Sequence, residues 1–241
     1  MKTVRAVTFD FWDTMVGEQT GTTRSHQLRR WSEILADAGT PVPDTTLADA
    51  FARNWEVFHE RWHTNVQHGA RQATPLICEL AAIDPSPGVR EKLEAAFTEA
   101  GREAPLTSAP GIEPTIRALR AAGVRVGIVC DVGMTPSPTL RERLAGFGLL
   151  DLFDHWSFSD EVGCFKPWPD VFRHAMAGLG VDDPGAVVHV GDSRRTDMAG
   201  ALAMGMTAVR YVGFNDAPAE TGPEGHLVLD DHERLPAALG L

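Results

Sequence analysis

At 241 residues the chain is long enough for one sizeable hydrophobic core, or for a core and a small accessory domain. Hydrophobic residues make up 43% of it and charged residues 23%, a globular balance that argues against disorder as the dominant state. The formal net charge of −11 argues against non-specific attraction to nucleic acid or to an anionic membrane. A small anionic substrate remains open, because one bound cation reverses the field around it.

The first element in the chain is TVRAVTF, residues 3–9. It is rich in β-branched residues, lacks polar alternation and stops at Asp10, which predicts a strand buried on both faces. From residue 17 to 105 there is almost no strand signal. Leu28, Trp31, Leu35 and Ala38 recur at helical spacing, with Gly39 as a stop. Leu47, Phe51, Trp55, Phe58, Trp62 and Val66 form a longer stripe, with Asp44 as its N-cap and Gly69 as its end signal. Shorter helices are predicted over 75–82 and 89–100.

Strands and helices then alternate. Strands are predicted at 124–130, 186–192 and 207–212, with LVL at 227–229 as a further candidate, and helices at 114–122, 137–147, 169–179 and 197–204. The pattern predicts an α/β fold: a Rossmann-like parallel sheet with helices on both faces, interrupted by an all-helical insertion. The expected boundaries are 1–16 and 106–241 for the core and 17–105 for the insertion. Ligands of such sheets bind at the carboxyl ends of the strands. Asp10, Asp131 and Asp192 stand at three of those ends.

Cys78, Cys130 and Cys164 are widely spaced and odd in number, so neither a disulfide framework nor a zinc knuckle is expected. No run of 18 apolar residues suggests a membrane span, and MKTVRAVTFDFWDT lacks the pattern of a signal peptide. A cytoplasmic setting is the expectation.

An aspartate at a strand end is also an ordinary turn residue, so no single one is informative. The order along the chain is more specific. Asp10 opens FDFWDTMV, Cys130 and Asp131 follow the second strand, FKPWPDVF supplies Lys166, and GDSRRTD supplies Asp192 and Asp197. This order resembles the haloacid dehalogenase (HAD) superfamily. Its motifs are Asp-x-Asp-x-Thr, then Ser or Thr after a strand, then Lys, then Gly-Asp with a second Asp a few residues on. The resemblance covers the sheet domain, and the insertion looks like the helical cap of that superfamily.

The resemblance implies a hydrolase of small phosphorylated metabolites. Asp10 would be the nucleophile that forms an aspartyl-phosphate. Mg²⁺ would be held by Asp10, Asp192 and the backbone carbonyl of Trp12, with Asp197 orienting the site. Lys166 would neutralise Asp10 and the transferring group. The chain has three lysines against nineteen arginines, which makes a lysine at this point less easily a casual surface charge. Thr14 would bind the phosphoryl oxygens, as would Cys130 and Asp131, with the N–H groups of Val132 and Gly133 assisting.

Two positions depart from the motif. Trp12 occupies the slot of the second aspartate, the usual general acid, and Asp13 falls one residue late, where glycine is usual. A missing general acid forgoes about 10²- to 10⁴-fold in rate, which suits an activated leaving group such as an acyl phosphate, unless Asp13 takes over the role. Cys130 replaces Ser or Thr, and a thiol is a weak donor. The rival readings are carbon-centred displacement by Asp10, as in the haloacid dehalogenases, and a catalytically weak binding or regulatory protein on the same fold. Retention of Asp192 weighs against the first, because the dehalogenases lack that metal-binding acid. HERWH, residues 59–63, matches the HExxH zinc-protease pattern. It lacks a further ligand at suitable spacing and lies inside the predicted insertion, so it is read as part of a cap helix.

Overall fold

A computed structural model of the chain describes residues 3–18, 21–218 and 220–241. The chain begins with β1 (Ala6–Phe9) and β2 (Val16–Glu18), followed by four helices: α1 (Thr22–Asp37), α2 (Asp44–His63), α3 (Ala70–Leu80) and α4 (Pro87–Glu103). Next come β3 (Leu106–Ser108), α5 (Ile112–Ala121), β4 (Arg125–Cys130), α6 (Ser137–Gly146), β5 (His155–Phe158), α7 (Ser159–Val162) and α8 (Pro169–Gly178). The chain closes with β6 (Val187–Gly191), α9 (Ala199–Met204), β7 (Thr207–Tyr211), β8 (Leu227–Leu229) and α10 (Leu235–Leu239).

Six strands form one sheet in the order β5-β4-β1-β6-β7-β8, each neighbouring pair parallel. In order of appearance these run third, second, first, fourth, fifth, sixth, the Rossmann arrangement. The central strands are buried throughout because AVTF, GIVC and VVHVG offer mostly apolar or small side chains to both faces, with His189 the polar exception in β6. On one face Val171, Phe172 and Ala175 of α8, with Leu179 just beyond its end, pack with Ala6, Val129 and Val187 of the sheet. The expected α/β class is therefore what the chain adopts.

The chain divides into two compact units. One comprises Met1–Gly17, Leu106–Asp131 and Leu144–Leu241; the other comprises Glu18–Pro105 and Val132–Arg143. Residues 132–143, expected within the sheet core, group with the helices. Arg143 donates to the carbonyls of Arg102 and Ala104, and Arg102 pairs with Glu142, which ties α6 to α4. Inside the helical unit Trp31, Phe51 and Phe97 from three helices meet edge-on or tilted at 5.3 to 6.0 Å.

Several local expectations need correction. The first strand starts at Ala6, not residue 3. Asp44 is the first residue of α2, with Pro43 in the N-cap position. Gly69 begins α3 instead of ending the preceding stripe: its N–H donates to Gln72 Oε1 at 3.1 Å, so the helix predicted to start at Pro75 opens five residues earlier. Val66 lies beyond α2 and is 49% exposed. The strand β5, HWSF, was not predicted. Ser193 caps the turn that carries Asp197, its Oγ accepting from Thr196 N.

Candidate active site

The strand order reverses between β1 and β6, which lie side by side and parallel with Phe9 opposite Val190. Asp10 N donates to Val190 O at 2.8 Å, so the acids following both strands are delivered to one crevice by sheet register alone. Asp10, Asp192 and Asp197 each bring a carboxylate oxygen within 4.8 Å of the other two. Gly191 makes this packing possible. A Cβ there would collide with the Asp197 carboxyl, so the glycine of GDS is required by close approach.

Lys166 reaches this cluster from the loop before α8, and its side chain is 2% exposed. Nζ donates to Asp10 Oδ1 at 2.5 Å and to Asp197 Oδ1 at 2.7 Å. Burial penalises the ammonium, but Asp10 and Asp197 outweigh it and hold Lys166 firmly charged. Asp197 is likewise buried, yet Lys166 and the His189 bond bring its pKa down to about 2. Burial first, then the charge of Asp197 against the pull of Lys166, raises Asp10 to about 7. Asp192 is pushed well above the usual carboxylate range by burial and by Asp197 and Asp10. One ammonium thus faces three buried carboxylates. Two of these carboxyl groups resist ionising on their own, and a divalent cation such as Mg²⁺ would hold their hard oxygen donors ionised, so the residues fit the ion that the resemblance implies.

The other expected site residues have more varied surroundings. Thr14 is fully buried, and its Oγ1 has no protein partner among the described residues. Its carbonyl accepts from His232 Nε2 at 2.8 Å. Asp131 Oδ1 accepts from the Lys166 backbone N–H at 2.8 Å, which makes this carboxylate a tether for the lysine loop. Cys130 is buried, and its Sγ–H donates to Asp131 O at 3.4 Å. Burial, reinforced by Asp10, keeps it a neutral thiol. Trp12 is half-buried, its ring edge-on to Phe11 at 4.8 Å. Asp13 has φ 52, the left-handed conformation that glycine adopts freely, and its charge is felt at Asp192. Val132 and Gly133 belong to the helical unit.

Sequence reasoning did not single out His189, which is fully buried in β6 with Nε2 2.8 Å from Asp197 Oδ1. Nor did it point to Glu220, which accepts from Ser193 Oγ and Arg194 N, both at 2.6 Å, and so ties down the loop carrying Asp192 and Asp197. A polar residue inside an otherwise apolar strand was the one visible hint for His189. Glu220 lies in a stretch without periodicity. The HERWH histidines are exposed on α2, where His59 packs against Trp55 and His63 against Trp62.

A family model for haloacid dehalogenase-like hydrolases matches residues 4–205, and the chain belongs to that family. It is 37% identical over 138 residues to a phosphoglycolate phosphatase of Cereibacter sphaeroides, covering 56% of this chain and 60% of that protein. It is 32% identical over 130 residues to haloacid dehalogenase-like hydrolase domain-containing protein 3 of Mus musculus, covering 53% of this chain and 50% of that one. The matches thus span about half to three fifths of these curated relatives. A HAD phosphatase from Thermococcus onnurineus has the same fold, with a TM-score of 0.67 and 26% identity over 98% of each chain. No described helix is long and apolar enough to cross a membrane.

Proposed function

We propose that this hydrolase is a Mg²⁺-dependent phosphatase of small phosphorylated metabolites that works through an aspartyl-phosphate on Asp10. The observation that carries the proposal is Lys166 Nζ bridging Asp10 and Asp197 inside a three-carboxylate cluster at the strand switch point. The phosphatase names of two relatives support it. Asp10 attacks phosphorus, the bond from phosphorus to the leaving oxygen breaks, and water later cleaves the acyl phosphate. Lys166 offsets charge on Asp10 and on the transferring group. The unpartnered Thr14 hydroxyl is available to a phosphoryl oxygen. Asp10, Asp192 and the Trp12 carbonyl would hold the Mg²⁺, which would screen the two reacting anions from one another. Asp197 already accepts from Lys166, His189 and Ser193 N, so its part is to support the site.

Trp12 offers no proton to the departing oxygen, so the favoured substrates carry an activated leaving group. Across a series of aryl phosphates in single-turnover experiments with Mg²⁺, the phosphorylation rate should fall steeply as leaving-group pKa rises. Trp12→Asp should flatten the dependence and Asp13→Ala should leave it steep. A shallow parent slope that steepens in Asp13→Ala would instead make Asp13 the acid.

A further inference from the structure

The geometry points to His189 as a positioning residue of this site: it holds Asp197 so that Lys166 remains shared between Asp197 and Asp10. The inference rests on the proposed roles of Asp10 and Lys166. Asp197 Oδ1 has two donors, Lys166 Nζ at 2.7 Å and His189 Nε2 at 2.8 Å, while Oδ2 accepts from Ser193 N at 3.1 Å. A bond from Nε2 to a carboxylate requires the proton on Nε2. The ring's Nδ1 must then accept, and Thr8 Oγ1 lies 2.9 Å from it. The same hydroxyl is 3.4 Å from Val188 O, so its single proton is better placed on Nδ1.

This relay is built by the sheet. Thr8 of β1 and His189 of β6 are register partners, and both are buried. Phe172 closes the far side of the imidazole, edge-on at 5.2 Å and 90°. The ring is therefore fixed in position and in tautomer by groups that touch no reacting atom. Its effect passes through Asp197. With two donors on Oδ1, the carboxylate is anchored and its attraction for Lys166 is shared with the imidazole N–H. If the His189 donor is lost, Lys166 becomes the only side chain bonded to that oxygen. The ammonium then pairs more tightly with Asp197 and less with Asp10.

Two measurements on the full chain test this. Long-range ¹H–¹⁵N correlation spectra of the unsubstituted protein, with His189 assigned by its loss in His189→Gln, should show Nε2 protonated and Nδ1 bare at neutral pH. In Thr8→Val the Nε2-protonated form should persist, because Asp197 still accepts from it. A dominant Nδ1–H form, or an imidazolium, overturns the inference. In steady-state hydrolysis of p-nitrophenyl phosphate with Mg²⁺, His189→Leu should lower kcat about tenfold or more while KM stays within about twofold. His189→Gln, whose amide can still donate to Asp197, should return kcat to within about threefold of the parent. An unchanged kcat in His189→Leu, or equal losses in Leu and Gln, overturns the inference, the latter by making ring packing the cause. Absence of turnover in the parent counts against the phosphatase proposal alone, since the spectra need no substrate and still decide the His189 geometry.

Discussion

In the helical unit, His68 is fully buried between Arg61 Nη1 at 2.7 Å and Asn54 Oδ1 at 2.8 Å. Burial first and Arg61 second hold its pKa down to about 4, so it sits there neutral, one nitrogen accepting and the other donating. In the sheet unit, one buried lysine faces three carboxylates, two of them shifted upward. Both units bury polar side chains, but only the second leaves like charges opposed. A neutral, satisfied pair helps to specify a fold. An imbalance that costs stability and is nonetheless kept in a crevice marks the place where a ligand is to complete the charge.

The contrast is broken most sharply at Asp10. Asp10→Asn should lower turnover by at least about 10³-fold while circular dichroism shows an intact fold. Retention of a few per cent of activity in a clean preparation would remove Asp10 as nucleophile.

Acid should act on the helical unit through His68. Its folded pKa of about 4 lies below the ordinary value of 6.5, so the unfolded chain takes up the proton first as pH falls. The stability associated with His68 is whole above pH 6.5 and is lost progressively down to pH 4, by roughly 3 kcal/mol in total. Denaturant midpoints measured across that window should slope less in His68→Gln. An unchanged slope would show that His68 titrates normally.

Paired substitutions test the opposite signs of burial in the two units. Asp192→Asn removes a carboxyl group that resists ionising and should stabilise the metal-free protein by about 1 to 2 kcal/mol, while abolishing the rise in thermal midpoint expected when Mg²⁺ is added to the parent. Asn54→Leu leaves His68 Nε2–H without its acceptor and should destabilise by about 1 to 3 kcal/mol. Both shifts are read in one thermal-melt series, and shifts of the same sign would dissolve the distinction. The smallest expected effect is at Asp13, whose left-handed backbone costs about 1 kcal/mol in a non-glycine residue. Asp13→Gly should raise the melting midpoint slightly. If activity falls in the same variant, the side chain has a role that offsets its strain.

Much of this was legible along the chain because the informative features are local. Apolar runs that stop at Asp10, Asp131 and Asp192 announce buried parallel strands and the acids at their ends. What was missed is non-local or too short to carry a period. HWSF is four residues with two of them half-buried, too little for a strand signal. Gly69 reads equally well as an end or a beginning until Gln72 is seen bonding back to it. The roles of His189 and Asp131 depend on which residues the sheet register and the lysine loop set beside them, and spacing along one chain does not encode that.

The position of β1 has a consequence for the order in which the molecule can be made. It leaves the ribosome well before its two sheet neighbours, which begin at Arg125 and Val187. The strand that carries Asp10 must wait, unpaired, until β4 and β6 have followed it, while the intervening helices have near neighbours to dock against sooner. Nucleation among those helices would shelter the nascent chain during that interval, and arrested chains ending just before and just after β6 should differ abruptly in resistance to protease.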